Sequence, residues 1–422
     1  MSLAITPRPA AANLAIDLDA IDLEAVAEAH DTPFYVYDLG VIERRVGALR
    51  AAMPDGFDVA YAVKANPNPA VLARLAKLGL GTDIASGGEL ERVLAAGIDP
   101  GRVVFTGPGK RDDELVAAVA AGIGLITVES PGELRRLASI AGSAGRPVPI
   151  LLRRSIDPGG SVPLEANRII GDLGVGKFGM DDDDLRGAAR AALDSPWIEL
   201  RGIHSFGASN VLDATALVRH AEQTMAFGRV LAAELGFPLL TIDVGGGLGI
   251  PYADGEPPLD LLALRDGFSG LRRRWAIDSV TAKTRVLVEP GRFLVGPAGV
   301  YVARVVDTKR IRGRAVAVLD GGINHLLRPT LVGQPQRIRH CGSGTMLGDR
   351  ESVTIAGPLC TGLDVLAYDV SIGLPAVGEL LAVVDAGAYG YTESMPFFLS
   401  RPLPAEVVLE SLSRRGPGSR SE

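Results

Sequence analysis

The chain has 422 residues, 47% hydrophobic and 22% charged, with a formal net charge of −7. That length exceeds one ordinary core and predicts two domains. The acidic balance, without any long basic run, argues against nucleic acid or an anionic membrane as the main partner, and no apolar stretch is long enough to span a bilayer. The two cysteines, Cys341 and Cys360, suggest no disulfide framework. No secretory leader is expected at the N-terminus, and a cytoplasmic location fits.

In chain order, Thr32–Asp38 reads as a short β-rich run, and Asp38 is placed to cap a helix from about Leu39 to Ala52. Strands are then predicted over Asp58–Val63, Gly81–Ala85, Val103–Phe105, Leu125–Val128, Pro149–Arg153, Ile198–Ser205, Thr241–Val244 and Arg285–Glu289. Helical patterns alternate with them, among them Pro69–Leu78, Arg111–Ala121, Ser130–Ser139, Asp183–Leu193, Ala214–Leu235 and Asp260–Trp275. About eight β-then-α units favour a closed parallel (β/α)₈ TIM-like barrel over an open sheet. Beyond about Pro290 the runs Val300–Val306, Ala315–Leu319, Glu351–Ala356 and Leu380–Asp385 are β-branched and broken by Gly and Pro, which predicts a second, mostly antiparallel β domain. The expected organisation is residues 1–41 as an N-terminal segment, 42–290 as the barrel, 291–410 as the β domain and 411–422 as a frayed tail.

Reactive groups of a parallel barrel sit at the C-terminal ends of its strands. Those ends carry Lys64, Asp83 with Ser86, Arg153, His204, Gly245-Gly246-Gly247, and Glu289 with Arg292. Lys64 ends an apolar run, where an ammonium is costly to bury; it either snorkels outward or works as an amine. Three successive glycines let backbone N–H groups approach an anion, although alone they also suit a plain turn. Glu289 could hold a protonated ring nitrogen and Arg292 an anion, or the two could pair. His204 alone suits a hydrogen-bonded core, and Cys360 alone a small buried hydrophobe; neither cysteine has metal-ligand spacing, so no metal is expected. Together, an amine, an anion cradle, a carboxylate and a stacking imidazole point to pyridoxal 5′-phosphate.

The ordered motifs Tyr61-Ala62-Val63-Lys64-Ala65-Asn66, Asp83-Ile84-Ala85-Ser86-Gly87-Gly88-Glu89, Lys177-Phe178-Gly179, Asp243-Val244-Gly245-Gly246-Gly247, Glu289-Pro290-Gly291-Arg292, Cys360-Thr361-Gly362-Leu363-Asp364 and Asp385-Ala386-Gly387-Ala388-Tyr389-Gly390 run nearly the length of the chain. In them the sequence resembles the fold-type III pyridoxal-phosphate decarboxylases, which include the diaminopimelate and ornithine decarboxylases. The resemblance implies a barrel plus a β domain joined by the N-terminal segment. It also implies a head-to-tail homodimer whose shared sites are completed by the partner's Cys360 and Asp364. It implies that Lys64 carries the cofactor covalently, that Glu289 faces the ring nitrogen with Asp83 nearby, and that His204 stacks on the ring. By the same resemblance Gly245, Gly246, Gly247, Gly291 and Tyr389 hold the phosphate, Arg292 helps there or binds a substrate carboxylate, and Cys360 returns a proton to the α-carbon.

Three departures bear on phosphate and substrate. In His204-Ser205-Phe206-Gly207-Ala208-Ser209, Ala208 stands where the family has its phosphate-binding serine, and Ser209 is the expected substitute. Thr361 follows the cysteine where an acidic residue would hold a distal ammonium; losing a buried ionic partner costs roughly 3–5 kcal/mol. Asp320 is the alternative amine partner, and Arg328 resembles a carboxylate-binding arginine, but Leu331 and Val332 stand where a tyrosine is expected. The expected substrate is therefore an amino acid or derivative other than free ornithine or diaminopimelate. The alternatives are a carrier-protein-bound aminoacyl group, as in the secondary-metabolism branch, or diaminopimelate in an atypical pocket. A racemase and a catalytically dead regulator are the rival classes; the Cys360 motif argues against the first, and Lys64 with Glu289 against the second.

Overall fold

The computed structural model describes residues 14–156, 176–341 and 347–410. The chain divides into two compact units, residues 48–294, and residues 1–47 together with 295–422. Among the described residues no helix is long and apolar enough to cross a membrane.

The first strand, β1 (Phe34–Asp38), belongs to the second unit. Residues 48–294 form a closed, all-parallel barrel of β2 (Phe57–Ala62), β3 (Gly81–Ile84), β4 (Val103–Phe105), β5 (Leu125–Val128), β6 (Val148–Arg154), β7 (Ile198–Ser205), β8 (Thr241–Asp243) and β9 (Arg285–Val288), in that order. Strands covered on both faces read as continuous apolar runs, as β4, β5 and β9 do. Short loops at the strand ends turn into helices through side-chain caps. Asn68 accepts from Ala70 N at 3.0 Å, Ser86 from Glu89 N at 3.2 Å, and Ser130 from Glu133 N at 3.0 Å. Register sets polar residues side by side at the barrel mouth: Ala62 pairs with Asp83, Arg153 with His204, and His204 with Asp243.

One local difference from the predicted elements matters. The strand expected to reach Val63 stops at Ala62, and Val63–Ala65 forms a single 3₁₀ turn closed by Asn66 N donating to Val63 O at 3.0 Å. Lys64 thus stands a turn beyond the apolar strand, with 47% of its side chain exposed, and escapes the burial cost that the sequence pattern implied.

A buried ionic network braces the same mouth. The Lys110 ammonium donates to Glu133 at 2.6 Å and to the Gly107 and Thr127 carbonyls. Glu129 accepts from Arg153 at 2.8 Å, from Gly107 N at 2.8 Å and from Gly179 N at 3.1 Å. Every oxygen and ammonium donor here has a protein partner, the condition under which buried ions are tolerated. Gly179 has φ 72°, and a Cβ there would sit 2.9 Å from Arg153 O, so the Lys177-Phe178-Gly179 segment needs its glycine.

The second unit is a sheet in the order β12 (Ile338–Cys341), β15 (Leu380–Val383), β10 (Gly299–Ile311), β11 (Arg314–Leu319), β13 (Leu347–Ala356), β14 (Val365–Leu374). β1 pairs antiparallel with β10 and parallel with β16 (Ala405–Leu409), and the β11–β13 pair is also parallel; the remaining pairs are antiparallel. Its core gathers Tyr35, Tyr301, Val353 and Ile355, with Tyr35 and Tyr301 rings 5.1 Å apart. The extended N-terminal run joins this sheet because alternate residues of β1 face two apolar clusters, Tyr35 and Tyr37 one, Phe34 and Val36 the other.

Candidate active site

The barrel mouth brings together Lys64, Asp83, His204, Asp243 and Glu289. The Lys64 ammonium donates to Asp83 Oδ2 at 2.6 Å. Asp83 is fully buried and its Oδ1 has no partner among the described residues. Burial and the neighbouring Glu289 charge push its carboxyl up to about 6, against the pull of Lys64. His204 is 1% exposed, with neither ring nitrogen hydrogen-bonded; Nε2 lies 3.6 Å from Glu289 Oε2. Burial, with Arg153 nearby, drives its basicity well below the ordinary histidine value, so the imidazole is neutral and offers a flat face.

Ligand-type atoms of His204, Asp243 and Glu289 all lie within 4.8 Å of one another. That spacing suits a metal ion or a shared proton. Burial and the Glu289 charge raise the Asp243 carboxyl well above the ordinary range, making it the protonated member that donates to Glu289. Burial also raises Glu289, opposed by Lys64 and by that hydrogen bond. Asp243 Oδ1 meanwhile accepts from Gly245 N at 2.8 Å.

Gly245-Gly246-Gly247 follows β8 directly. Gly247 has φ 92°, and a Cβ on Gly246 would run into Glu289 O. Glu289 N donates to Gly245 O at 2.8 Å, fastening the turn to the next strand end, while the amides of Gly246 and Gly247 donate to no protein acceptor among the described residues. Gly291 packs on the Lys64 turn, where a Cβ would come 2.8 Å from that of Ala65. Arg292, 4% exposed, donates from Nη1 to Tyr252 Oη at 2.6 Å and from Nη2 to Ser209 Oγ at 3.2 Å. Expected site residues from five strand ends, those of β2, β3, β7, β8 and β9, therefore converge in the barrel unit.

In the sheet unit the expected residues are arranged differently. Cys360 is exposed and Thr361 partly so. Two carboxylates expected to face substrate also accept hydrogen bonds from their own chain. Asp364 accepts from Ile323 N at 2.8 Å and from Leu359 N at 2.6 Å, which makes it the tie beneath the Cys360 loop. Asp320 accepts from Thr32 Oγ1 and, at 2.9 Å, from Arg304 N. Arg328 is buried and paired with Glu393 at 2.9 Å, its guanidinium 5.0 Å from the Tyr389 ring centroid.

Residues 39–296 match the family model "Pyridoxal-dependent decarboxylase, pyridoxal binding domain". The chain belongs to the pyridoxal-dependent decarboxylases. It is 34% identical over 398 residues to diaminopimelate decarboxylase of Zymomonas mobilis, covering 93% of this chain and 91% of that one. It is 31% identical over 400 residues to the L-glutamyl-[BtrI acyl-carrier protein] decarboxylase of Niallia circulans, covering 93% and 92%. Among solved structures, diaminopimelate decarboxylase from M. jannaschii in co-complex with L-lysine matches with a TM-score of 0.84 at 28% identity, over 94% of this chain and 92% of that one. The chain is accordingly a carboxy-lyase that uses pyridoxal 5′-phosphate, on a (β/α)₈ barrel with a mostly antiparallel β domain.

The site's chemistry fits that cofactor. Glu289 Oε1 and both His204 nitrogens are buried without partners, and the Gly246 and Gly247 amides are uncommitted among the described residues, which supplies a carboxylate, a ring-stacking face and anion donors. Sequence reasoning missed two neighbours in the barrel unit, Asp243 and Tyr252, and one partner in the sheet unit, Glu393 beside Arg328. Asp243 was visible as a strand-end carboxylate two residues before the glycine turn. Tyr252 and Glu393 lie in segments with no pattern that signals a site.

Proposed function

We propose that this protein removes the α-carboxylate of an amino acid, or an amino-acid derivative, that is neither free ornithine nor diaminopimelate. The observation that carries the site assignment is the set of buried, unpartnered polar atoms on Asp83, His204 and Glu289 around the Lys64 amine. When bound, pyridoxal 5′-phosphate supplies the electron sink for the pair left on the α-carbon as carbon dioxide departs. Lys64 would carry it covalently, and Asp83 would orient that amine and take or give its proton. Glu289, charged while Asp243 keeps the shared proton, would hold the ring nitrogen protonated. His204 stays neutral and would offer its face to the ring. The amides of Gly246 and Gly247, with Gly291, Ser209 and Tyr389, would hold the phosphate, while the Gly245 amide, expected to join them, is committed to Asp243; Arg292 holds Ser209 in place or meets a substrate carboxylate. Cys360, from a second copy in a homodimer, returns a proton to the α-carbon.

The neutral Thr361 supports a substrate whose distal group is uncharged. A second reading, decarboxylation of a carrier-bound aminoacyl group, is supported by the Niallia circulans relative, nearly as similar as the diaminopimelate decarboxylases. Adding pyridoxal 5′-phosphate to the purified protein is expected to give a yellow species, and carbon dioxide release is then measured over free and carrier-bound amino acids. A protein that stays colourless, or that works best on ornithine or diaminopimelate, sinks the respective half of the proposal.

A further inference from the structure

The β7–β8 ladder ends at the His204–Asp243 pair, and beyond it the two strands run into separate loops. One loop leaves from Ser205, next to His204; the other leaves from Val244 and turns through Gly245-Gly246-Gly247. His220, half-buried in the second turn of the helix Ala214–Leu235, reaches both. Its Nε2 lies 3.2 Å from Ser205 O and 3.2 Å from Val244 O. A carbonyl oxygen only accepts, so Nε2 carries the proton and one N–H serves both strand ends. Burial lowers the basicity of the ring, against those two bonds, so the imidazole is neutral and Nδ1 carries no proton. The surroundings are built around this ring. A Cβ on Gly207 would come 3.1 Å from Nδ1, so the loop after β7 passes directly over the imidazole. One turn along the helix, Thr224 Oγ1 hydrogen-bonds Ser205 Oγ at 3.2 Å. Farther out the two loops lie on each other, Val211 N donating to Gly247 O at 2.8 Å and Gly249 N to Val211 O at 3.0 Å.

We propose that His220 is a positioning residue, a clamp that fixes the separation between the face of His204 and the amides of Gly246 and Gly247. This rests on the proposed function, in which those two features grip the ring and the phosphate of one cofactor. His220 acts one residue away from each grip, through the carbonyls of Ser205 and Val244. Without the shared N–H both carbonyls lose a donor, and the strand ends can shift apart. A ligand that spans both grips gains from their being held at the right spacing beforehand, whereas a ligand that uses one grip does not. The clamp therefore acts on the combination of ring and phosphate more than on either alone.

The test compares the full-length wild-type chain with His220→Leu, which lacks the donor, and with His220→Gln, whose amide can donate to both carbonyls. Calorimetry on cofactor-free protein follows 4′-deoxypyridoxine 5′-phosphate and 4′-deoxypyridoxine, which carry the ring with and without the phosphate and cannot react with Lys64. In His220→Leu the phosphate ester is expected to bind about 10-fold more weakly, while the phosphate-free ring changes by less than about 2-fold. His220→Gln should recover most of the loss. The inference is overturned if His220→Leu weakens neither ligand or both equally, as simple loosening would, or if His220→Gln recovers nothing. Nitrogen-15 NMR of the wild-type imidazole needs no variant: an Nε2–H tautomer is expected, and an Nδ1–H tautomer overturns the clamp even where His220→Leu does not fold. Wild-type protein that binds the two ligands equally well overturns the phosphate role of the glycine turn, and the clamp with it, whereas a wild-type preference that His220→Leu leaves intact overturns the clamp alone.

Discussion

Two sets of side chains, one in each unit, are held differently. In the sheet unit, both oxygens of Asp364 and of Asp320 are answered from within the chain, by backbone amides or a hydroxyl. At the barrel mouth, Asp83, His204 and Glu289 are deeply buried, yet each keeps at least one polar atom without a partner among the described residues. Since an unsatisfied buried polar group costs about 1–3 kcal/mol, the barrel holds its side chains in an arrangement that a bound group must complete. The satisfied carboxylates of the sheet unit brace their own loops; the unsatisfied groups at the barrel mouth are the ones proposed to carry the chemistry.

That contrast breaks most readily at Lys64. Lys64→Ala is expected to lower turnover by roughly 10⁴-fold or more and to abolish the yellow colour, since it removes the amine proposed to carry the cofactor. Appreciable turnover in that variant would remove Lys64 from its role. Glu289→Gln should cost about 10²–10³-fold in kcat with little change in folding, because it removes a charge that the barrel already strains to hold. Loss of folding instead would make Glu289 a fixture like Asp364.

Asp364→Ala tests the other side. It strands two buried amide donors, so urea denaturation should show a loss of about 3 kcal/mol, with the barrel residues untouched. An equal stability in the variant would refute its bracing role.

The smallest effect concerns pH. The Asp83 carboxyl sits at about 6 in the folded protein against its usual 3.8. Between those values the folded chain keeps a proton that the unfolded chain releases. The stability this gives is fully present below about pH 4 and is lost as pH rises through about 6, by roughly 2–3 kcal/mol. Urea midpoints for apoprotein wild type and Asp83→Asn should therefore converge on acidification from pH 7.5 to 4.5 if the proton stays on Asp83; curves that run parallel count against the raised value.

Much of this was legible from sequence. The eight β-then-α units announced a parallel barrel, and reading strand ends in order found Lys64, Asp83, His204 and Glu289, because a parallel barrel exposes that one edge of every strand. What escaped depended on tertiary contact. The turn that lifts Lys64 out of β2 follows from Asn66 closing on Val63. The commitment of Asp364 to the amides of Ile323 and Leu359 spans up to 41 positions, and the Arg328–Glu393 pair spans 65. Neither separation leaves a periodic trace. The shared proton of Asp243 and Glu289 depends on burial, which charge counting does not reveal.

The Glu129 carboxylate has a practical consequence for anyone redesigning this scaffold. It reaches from the end of β5 to grip Arg153 at the end of β6 and the amide of Gly179, where the chain re-enters toward the next helix. A replacement segment between those two points inherits a fixed docking post, and its own sequence need not specify where it lands. Transplants that keep Glu129 and Gly179 as a unit should seat in register, whereas those that exchange either one must rebuild a landing site inside a water-poor wall.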